Sequence, residues 1–578
     1  MKQNRVAATL FALLVAGIGS SVGAPPNCRY LPGDAEWPSP AAWAELNQTV
    51  GGRLIASRPL GRPCFEPGVD AAECAVTKAE WTFLDTYLKD PVHVMSPYWM
   101  NNSCSPFLGP SGECALGNIA SYAINVNNAQ DAVAGVRFAQ ANNVRLTIKN
   151  TGHDFLGRAA GAGSLALWTR NLKEVTYLNR YRGCNYTGPA ARLGAGVQHA
   201  DLYPAENRGR RFRVVAGSCA TVGVTGGFTQ GGGHSALSSK YGLSADQVLE
   251  WEVVTADGKH ITASPSEHSD LYWALRGGGA GNYAVAISMT VKAYPDGQVA
   301  GAGFAFANED GTTYWAAVSA FFRHLLVLDK LDGYVSGFTI TALGFSLVFA
   351  LAPDAKSEDD ISGPLAPFFA ELQALNVTVT NNRASLHPNY ASWFDAFAGQ
   401  VEYSTNNSVG GRLIPRTVVQ DDLPSLVAAL RDIAENSTTV GGSAINGVSV
   451  NVTEARIGAA AVPGASAVLP AWRDALFTLN FGIPLAEDAE WDVMRTGQRW
   501  INEKQDRLRA VTPGGGSYMN EATFDNANWK EDYFGVNYEA LRAVKDKYDP
   551  EGLFWANAAV GSDASWQPAA DGRLCRVQ

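Results

Sequence analysis

Four side chains in this sequence have types and neighbours suited to chemistry: His153, Cys219, Tyr518 and Glu521. His153 stands in "KNTGHDFLGR", just after Val144, Leu146 and Ile148 alternate with Arg145, Thr147 and Lys149, the period-two pattern of a half-buried strand. Asn150-Thr151-Gly152 breaks that run, so an imidazole is delivered onto a turn whose N–H groups point outward instead of into a ladder. Cys219 lies in "VVAGSCATVGVTGGFTQGGGHSALSSKYGLSADQ", among small residues and glycines. Glu521, in "SYMNEA", offers a carboxylate for general-base work, with Tyr518 placed to orient a substrate or the base.

The elements that must hold these groups are readable in outline. Residues 25–115 are rich in Pro, Gly and Cys with little periodicity, and are expected to wrap around the rest. Strand and helix signals alternate over 116–297, including "SYAINVN", the helical spacing of "AQDAVAGVRFAQANN", and a hairpin closed by Asp257-Gly258. Longer strands and long helical runs such as "GTTYWAAVSAFFRHLLVLDKL" mark a second domain over 298–512, followed by a closing segment, 513–565, and a tail, 566–578. Trp315, Phe321, Phe322 and Trp393 read as core rather than as a binding groove.

Neither common nucleotide fingerprint is present. "GAGVQH" and "GGGAGN" lack the last glycine of the dinucleotide motif, and "GGFTQGGGHS" has no lysine where a phosphate loop needs one. What remains is three glycine-bearing turns, around Gly152 and Gly157, Gly226 to Gly233, and Gly277 to Gly281; such turns let consecutive N–H groups converge on an anion.

The 578 residues exceed one core, and 46% hydrophobic with 17% charged residues describes a globular chain. The net charge of −10 and the absence of a basic run argue against nucleic acid. Residues 1–24 read as a secretory signal with cleavage after Ala24, and no later stretch is apolar enough to span a bilayer, so the mature chain is expected to be extracellular and off the membrane. Seven sequons, at Asn47, Asn101, Asn185, Asn376, Asn406, Asn436 and Asn451, fit that route. Cys104 and Cys114 bracket a Pro/Gly loop and are expected to pair; the partners of Cys28, Cys64, Cys74, Cys184 and Cys575 stay open. Arg412 reads as half of a structural ion pair, with an anion pocket as the alternative. The remaining histidines lack metal spacing, and no metal is expected.

Cys219 has two readings. It is a disulfide half, or a thiol that bonds a flavin, just as a histidine nitrogen can bond the 8α-methyl of the oxidised ring. "RLTIKNTGHDFLGR", the Cys219 segment, "EWEVVTADGK", "DLYWALRGGGAGNYAV" and "YFGVNYEALRAVKDKYDPEGLFWANAAVG", in that order, resemble the berberine-bridge-enzyme-like branch of the vanillyl-alcohol-oxidase flavoproteins, closest to secreted fungal, isoamyl-alcohol-oxidase-like members. The resemblance runs from about 28 to 565 and is weakest between 300 and 500.

It implies an α+β fold of two domains, an FAD-binding domain over 116–297 and an antiparallel-sheet substrate domain over 298–512 covered by helices, with 513–565 returning to the first. It implies FAD held bicovalently through His153 and Cys219. Asn150, Thr151, Gly152, Asp154, Phe155 and Gly157 are implied to cradle the pyrophosphate, and Thr221, Val222, Gly226, Gly227, Gly231, Gly232, Asn282 and Asn557 to line the rest, with Val222 as a gate for oxygen. Glu521 departs from the pattern, since many relatives carry tyrosine there, and "CRYLPGDAEWP" has fewer cysteines than close relatives. The implied reaction takes hydride from an alcohol-type C–H, with O2 reduced to H2O2, on a small molecule that includes secondary metabolites. A carboxylate beside the flavin ring is expected to have a raised pKa. The alternatives are a carbohydrate oxidase and a secreted flavin-containing binding or defence protein without turnover. A monomer is favoured.

Overall fold

The strand that delivers His153 is more deeply covered than its sequence pattern suggests. In a computed structural model describing residues 27–65, 71–100, 103–108, 114–203, 212–399, 407–437 and 443–577, strand β3 (Leu146–Lys149) lies beside β4 (Leu165–Trp168), β2 (Tyr122–Asn125) and β1 (Leu54–Ala56). The β2–β4 and β4–β3 pairs are parallel. The polar side chains of this run, expected to face solvent, are buried, because the N-terminal segment packs on that side. Lys149 Nζ donates to the carbonyls of Asp90 at 2.6 Å and Tyr87 at 3.1 Å. Thr147 and Ser164 share a hydroxyl contact, and Arg145 donates to the Ala160 carbonyl. The helix Ala129–Ala141 crosses from β2 to β3, started by Asn128, whose side chain accepts from Gln130 and Asp131 N–H.

The N-terminal segment is also more regular than expected. It contains helices Pro40–Thr49, Ala71–Glu80 and Leu84–Lys89, the first opened by Ser39 as cap and Pro40 at its first turn. The expected Cys104–Cys114 bridge is formed, together with Cys64–Cys74 and Cys28–Cys575, the last closing a separation of 547 positions. Cys575 belongs to β20 (Leu574–Arg576), which pairs with β19 (Trp566–Pro568), so the tail is a fastened hairpin. Cys184 is exposed and Cys219 buried, and neither is in a disulfide.

Strands β5 (Val175–Arg182), β6 (Thr187–Gly194), β8 (Val248–Thr255), β9 (His260–Ala263) and β10 (Ala284–Lys292) form an antiparallel sheet ordered β5-β6-β10-β8-β9, with the Asp257-Gly258 hairpin as expected. A short pair, β7 (Phe212–Arg213) with β11 (Tyr294–Pro295), stands beside it. The third sheet has seven antiparallel strands in the order β15-β12-β14-β13-β17-β18-β16. They are β12 (Val299–Ala307), β13 (Val335–Ile340), β14 (Gly344–Pro353), β15 (Thr380–His387), β16 (Asn407–Pro415), β17 (Ile445–Ser449) and β18 (Ala475–Pro484).

Helices Gly311–Leu328, Asp359–Ala374, Leu423–Glu435 and Trp491–Val511 pack on one face of this sheet around a core that includes Trp315, Phe321, Phe322 and Phe338. Each such side chain contributes about 1.5–3 kcal/mol by leaving water. Trp393 is buried in a neighbouring cluster, so all four aromatics read as core are core. The architecture is α+β. Among the described residues no helix is long and apolar enough to cross a membrane.

The sequence-derived leader, residues 1–24, and the sequons at Asn101 and Asn406 lie outside the described residues. Asn185, Asn376 and Asn436 are exposed and Asn47 is half-buried. Asn451 is a correction. It is buried, and its Nδ2 donates to the Asp329 carbonyl at 2.9 Å and to the Asp329 carboxylate at 3.2 Å, which leaves no amide hydrogen or space for a glycan.

Candidate active site

The turn after β3 is built from inside. Gly152 has φ of +99°, and its carbonyl accepts from Met95 N–H, so the N-terminal segment clamps the turn from below. Asn150 Nδ2 donates to Thr169 Oγ1 at 3.0 Å and to the Ala195 carbonyl at 2.6 Å, joining this turn to two neighbouring segments. Asp154 does not present its carboxylate to an anion site: it accepts from Leu156 N–H at 3.1 Å and Ala159 N–H at 2.7 Å within its own turn. Its burial raises the carboxyl pKa, which those amides and Arg158 partly offset. Gly157 has φ of +69°, and a Cβ there would fall 2.2 Å from the Trp99 indole. Only glycine lets Trp99 close over the turn, where its Nε1 donates to the Phe155 carbonyl.

The two expected attachment residues meet at one hydroxyl. His153 Nε2 lies 2.9 Å from Thr221 Oγ1, and Cys219 Sγ lies 3.4 Å from the same oxygen. Burial, and secondarily the charge of Lys149, lowers the His153 pKa to about 4, so the ring is neutral at pH 7 and keeps a nucleophilic lone pair. Burial lowers Lys149 itself to about 7.

A cleft, partly open to solvent, extends from this corner. His153, Asn150, Thr151, Gly152, Asp154, Phe155, Val222, Gly226, Gly227, Tyr518 and Glu521 all line it. Gly231 stands behind the wall, against Asn520. Gly232 has φ of +118° next to Trp472, and Gly157 underlies Trp99. Asn557 is a latch: its Nδ2 donates to the carbonyls of Leu156 and Phe524, fixing the C-terminal return to the His153 turn. Asn282 is buried, with no hydrogen-bond partner of good geometry for its Nδ2 among the described residues.

Glu521 ends a short turn, Met519–Glu521, where three parts of the chain converge. Its Oε1 lies 2.9 Å from His234 Nε2, on the glycine-rich loop, and its Oε2 accepts from Asn480 Nδ2 of β18 at 2.9 Å. Burial pushes the carboxyl pKa up, but the positive charge and hydrogen bond of His234 and the bond from Asn480 outweigh it, and the net direction is down. The raised pKa expected from the sequence is corrected accordingly. Tyr518 sits edge-on to His234 with ring centres 5.3 Å apart, and its hydroxyl accepts from Asn520 Nδ2.

Four residues that the sequence reading did not assign thus shape the site. His234 stands in "GGGHS", where nothing local indicates its partner. Asn480 is one amide in the apolar run "ALFTLNFGIP", and Asn520 lies between two residues already singled out. Arg158 lines the cleft, its guanidinium donating to the carbonyls of Asn557 and Ala558.

Arg412 is the structural ion pair it was read as. Its Nη1 donates to Asp532 at 2.8 Å, and Asp532, buried like Arg412, also accepts from the buried Asn526 and the half-buried Arg509. Asp532→Ala strands the buried Arg412 guanidinium without its counter-ion, leaving Arg509 only the Asp506 carboxylate, and is expected to cost about 3–5 kcal/mol in chemical denaturation.

Two family models match parts of the chain. Residues 120–264 match the model of an FAD binding domain, and residues 517–561 match that of berberine and berberine-like proteins. The VAO-type flavoprotein oxidase VAO615 of Thermothelomyces thermophilus is 42% identical over 564 residues, 96% of each chain. The crystal structure of the VAO-type flavoprotein MtVAO615 from Myceliophthora thermophila C1 superposes with a TM-score of 0.88 at 39% identity, covering 95% of this chain and all of that one. The glucooligosaccharide oxidase of Acremonium strictum, whose structure is described with a 6-S-cysteinyl, 8α-N1-histidyl FAD, shares the fold with a TM-score of 0.63 at 19% identity over 77% of this chain and 92% of that one. The chain belongs to the berberine-bridge-like, VAO-type flavoproteins and is an FAD-linked oxidoreductase.

Proposed function

We propose that the protein is a secreted oxidase that binds FAD covalently at both His153 and Cys219 and oxidises an alcohol-type C–H while reducing O2 to H2O2. The observation that carries this reading is the meeting of a neutral imidazole and a buried, unbridged thiol at the Thr221 hydroxyl, at the corner of a glycine-lined cleft. The cleft suits FAD in its donor chemistry. Glycine turns at 152 and 226–227 leave backbone room for a pyrophosphate, and Arg158 supplies positive charge. Bound FAD supplies a two-electron acceptor for the substrate's hydride.

The protein's own task is the proton. Glu521 lines the cleft, is held ionised, and accepts the substrate hydroxyl proton as the C–H hydride leaves. His234 behind it shares a hydrogen bond with the carboxylate. Tyr518, fixed by Asn520, orients the substrate oxygen. Val222, half-buried on the cleft wall, is the small side chain that leaves oxygen a path. Secretion is supported by three disulfides and by exposed sequons at Asn185, Asn376 and Asn436.

Aerobic incubation of the flavin-loaded protein with panels of alcohols, sugars and amines is expected to release one H2O2 per O2 consumed with at least one member. No peroxide from any panel while the flavin stays bound would instead make it a binding or defence protein.

A further inference from the structure

The open face of the seven-stranded sheet, opposite its helices, carries an uncharged polar row that ends at the active-site carboxylate. Gly411 of β16, Asn480 of β18, Asn446 of β17, Thr339 of β13 and Ser346 of β14 are successive register partners. Their chain neighbours Leu479, Phe481, Ile445, Phe338, Ile340, Phe345 and Leu347 are buried against the helices, as strand alternation requires. The row itself is half-buried or exposed, except at Gly411. Thr339 Oγ1 donates to Asn446 Oδ1 at 2.9 Å, Asn446 Nδ2 to Asn480 Oδ1 at 3.3 Å, and Asn480 Nδ2 to Glu521 Oε2 at 2.9 Å. At the end of the row a Cβ on Gly411 would lie 2.0 Å from the Glu521 carbonyl oxygen, so the missing side chain is what lets the Glu521 turn rest on the sheet.

The direction of the row follows from one charge. An ionised carboxylate only accepts hydrogen bonds, so Asn480 must turn its NH2 toward Glu521 and its oxygen toward Asn446. Asn446 must then turn its NH2 toward Asn480, and its oxygen is left for the Thr339 hydroxyl. A proton on the carboxyl group would make it a weaker acceptor for the Asn480 NH2, so the row, oriented this way, favours the ionised form of Glu521.

We propose that Asn480 is a positioning residue for Glu521, oriented in turn by Asn446 and Thr339, so that the open face of the sheet holds the base aimed and ready to accept. This rests on the reading of Glu521 as the base. In the step it serves, the substrate O–H bond breaks, a carboxyl O–H bond forms at Glu521, and the hydride leaves separately to the cofactor. The titratable groups facing Glu521 are His234 on the glycine-rich loop and Tyr518 on its own segment. Asp154 and Arg158 line the same cleft, and Arg412, beside Gly411, is committed to Asp532.

The test is the pH profile of kcat/KM for a substrate found by the peroxide panel, and, without turnover, the pH dependence of the bound flavin's visible absorbance. Asn480→Leu is expected to move the acid limb up by about one pH unit, the scale of one lost charge-assisted hydrogen bond. Asn446→Leu, at an exposed position two bonds from the carboxylate, should move it the same way by about half as much, and Thr339→Ser should leave it in place. A merely structural role would lower the plateau without moving the limb, and limbs of both leucine variants that superpose on the parent overturn the proposal. Glu521→Gln separates the two readings. If the limb persists there, the base assignment fails; if it vanishes there yet stays put in Asn480→Leu and Asn446→Leu, only the positioning role fails.

Discussion

Glu521→Gln is expected to lower kcat/KM by about 10²- to 10⁴-fold, the usual contribution of a positioned general base, while the flavin stays attached and the melting temperature barely moves. The substitution keeps volume and shape. The glutamine oxygen still accepts from Asn480 Nδ2, and the side chain keeps its reach to His234 Nε2. What is lost is the ability to take a proton. Stopped-flow reduction of the flavin by substrate under anaerobic conditions, compared with the reoxidation rate in oxygen, reads this directly: the first should fall by the full factor and the second should not. Equal losses in both would mean that Glu521 acts on the cofactor and not on the substrate. The pH sign follows from the structure. The folded pKa of Glu521 is held below its ordinary value of 4.5, so the carboxylate is ionised throughout the neutral and mildly acidic range. The stability it contributes is present above the unfolded value and is lost as the pH falls through the folded one.

Why the sequence showed some of this and not the rest comes down to range. The His153 turn was legible because a strand pattern, a glycine break and the imidazole lie within ten residues, and the Asp257-Gly258 hairpin for the same reason. Cover over a strand is not a local property. Arg145, Thr147 and Lys149 alternate like solvent-facing residues, yet Lys149 is tied to carbonyls of Tyr87 and Asp90, about sixty positions earlier. The sequon at Asn451 is a three-residue pattern, whereas the Asp329 that occupies its amide comes from another element. The direction of the Glu521 pKa shift was misread in the same way. Burial was foreseeable from the resemblance; His234 and Asn480 arrive from 287 and 41 positions away and reverse it. Within the substrate sheet, Asn446 and Asn480 look like isolated polar residues until the register places them side by side.

The second large effect concerns the cofactor's tether. His153→Ala and Cys219→Ala are each expected to leave the yellow colour in the acid-precipitated protein, and the double variant to release nearly all of it to the supernatant. Each proposed bond would replace a flavin C–H hydrogen and a hydrogen on the protein nucleophile, so two electrons and two protons would leave per bond, enough to reduce one O2 to H2O2. His153 enters that chemistry as a neutral ring, because burial and Lys149 hold its pKa at about 4. Cys219 enters it unbridged: the six cysteines other than Cys184 and Cys219 are joined in three disulfides, and Cys184 is exposed and itself unbridged. Thr221, whose hydroxyl contacts both, stands between the two nucleophiles, and its carbonyl accepts from Gln198 Nε2. With Thr221 also held by Gln198, either single change should leave the other bond able to form. The absorbance spectrum sharpens the outcome, because loss of the sulfur at the ring and loss of the nitrogen on the methyl perturb the flavin bands differently. Free flavin in the supernatant of one single variant would mean that the surviving residue forms no bond, and would reduce the tether to one.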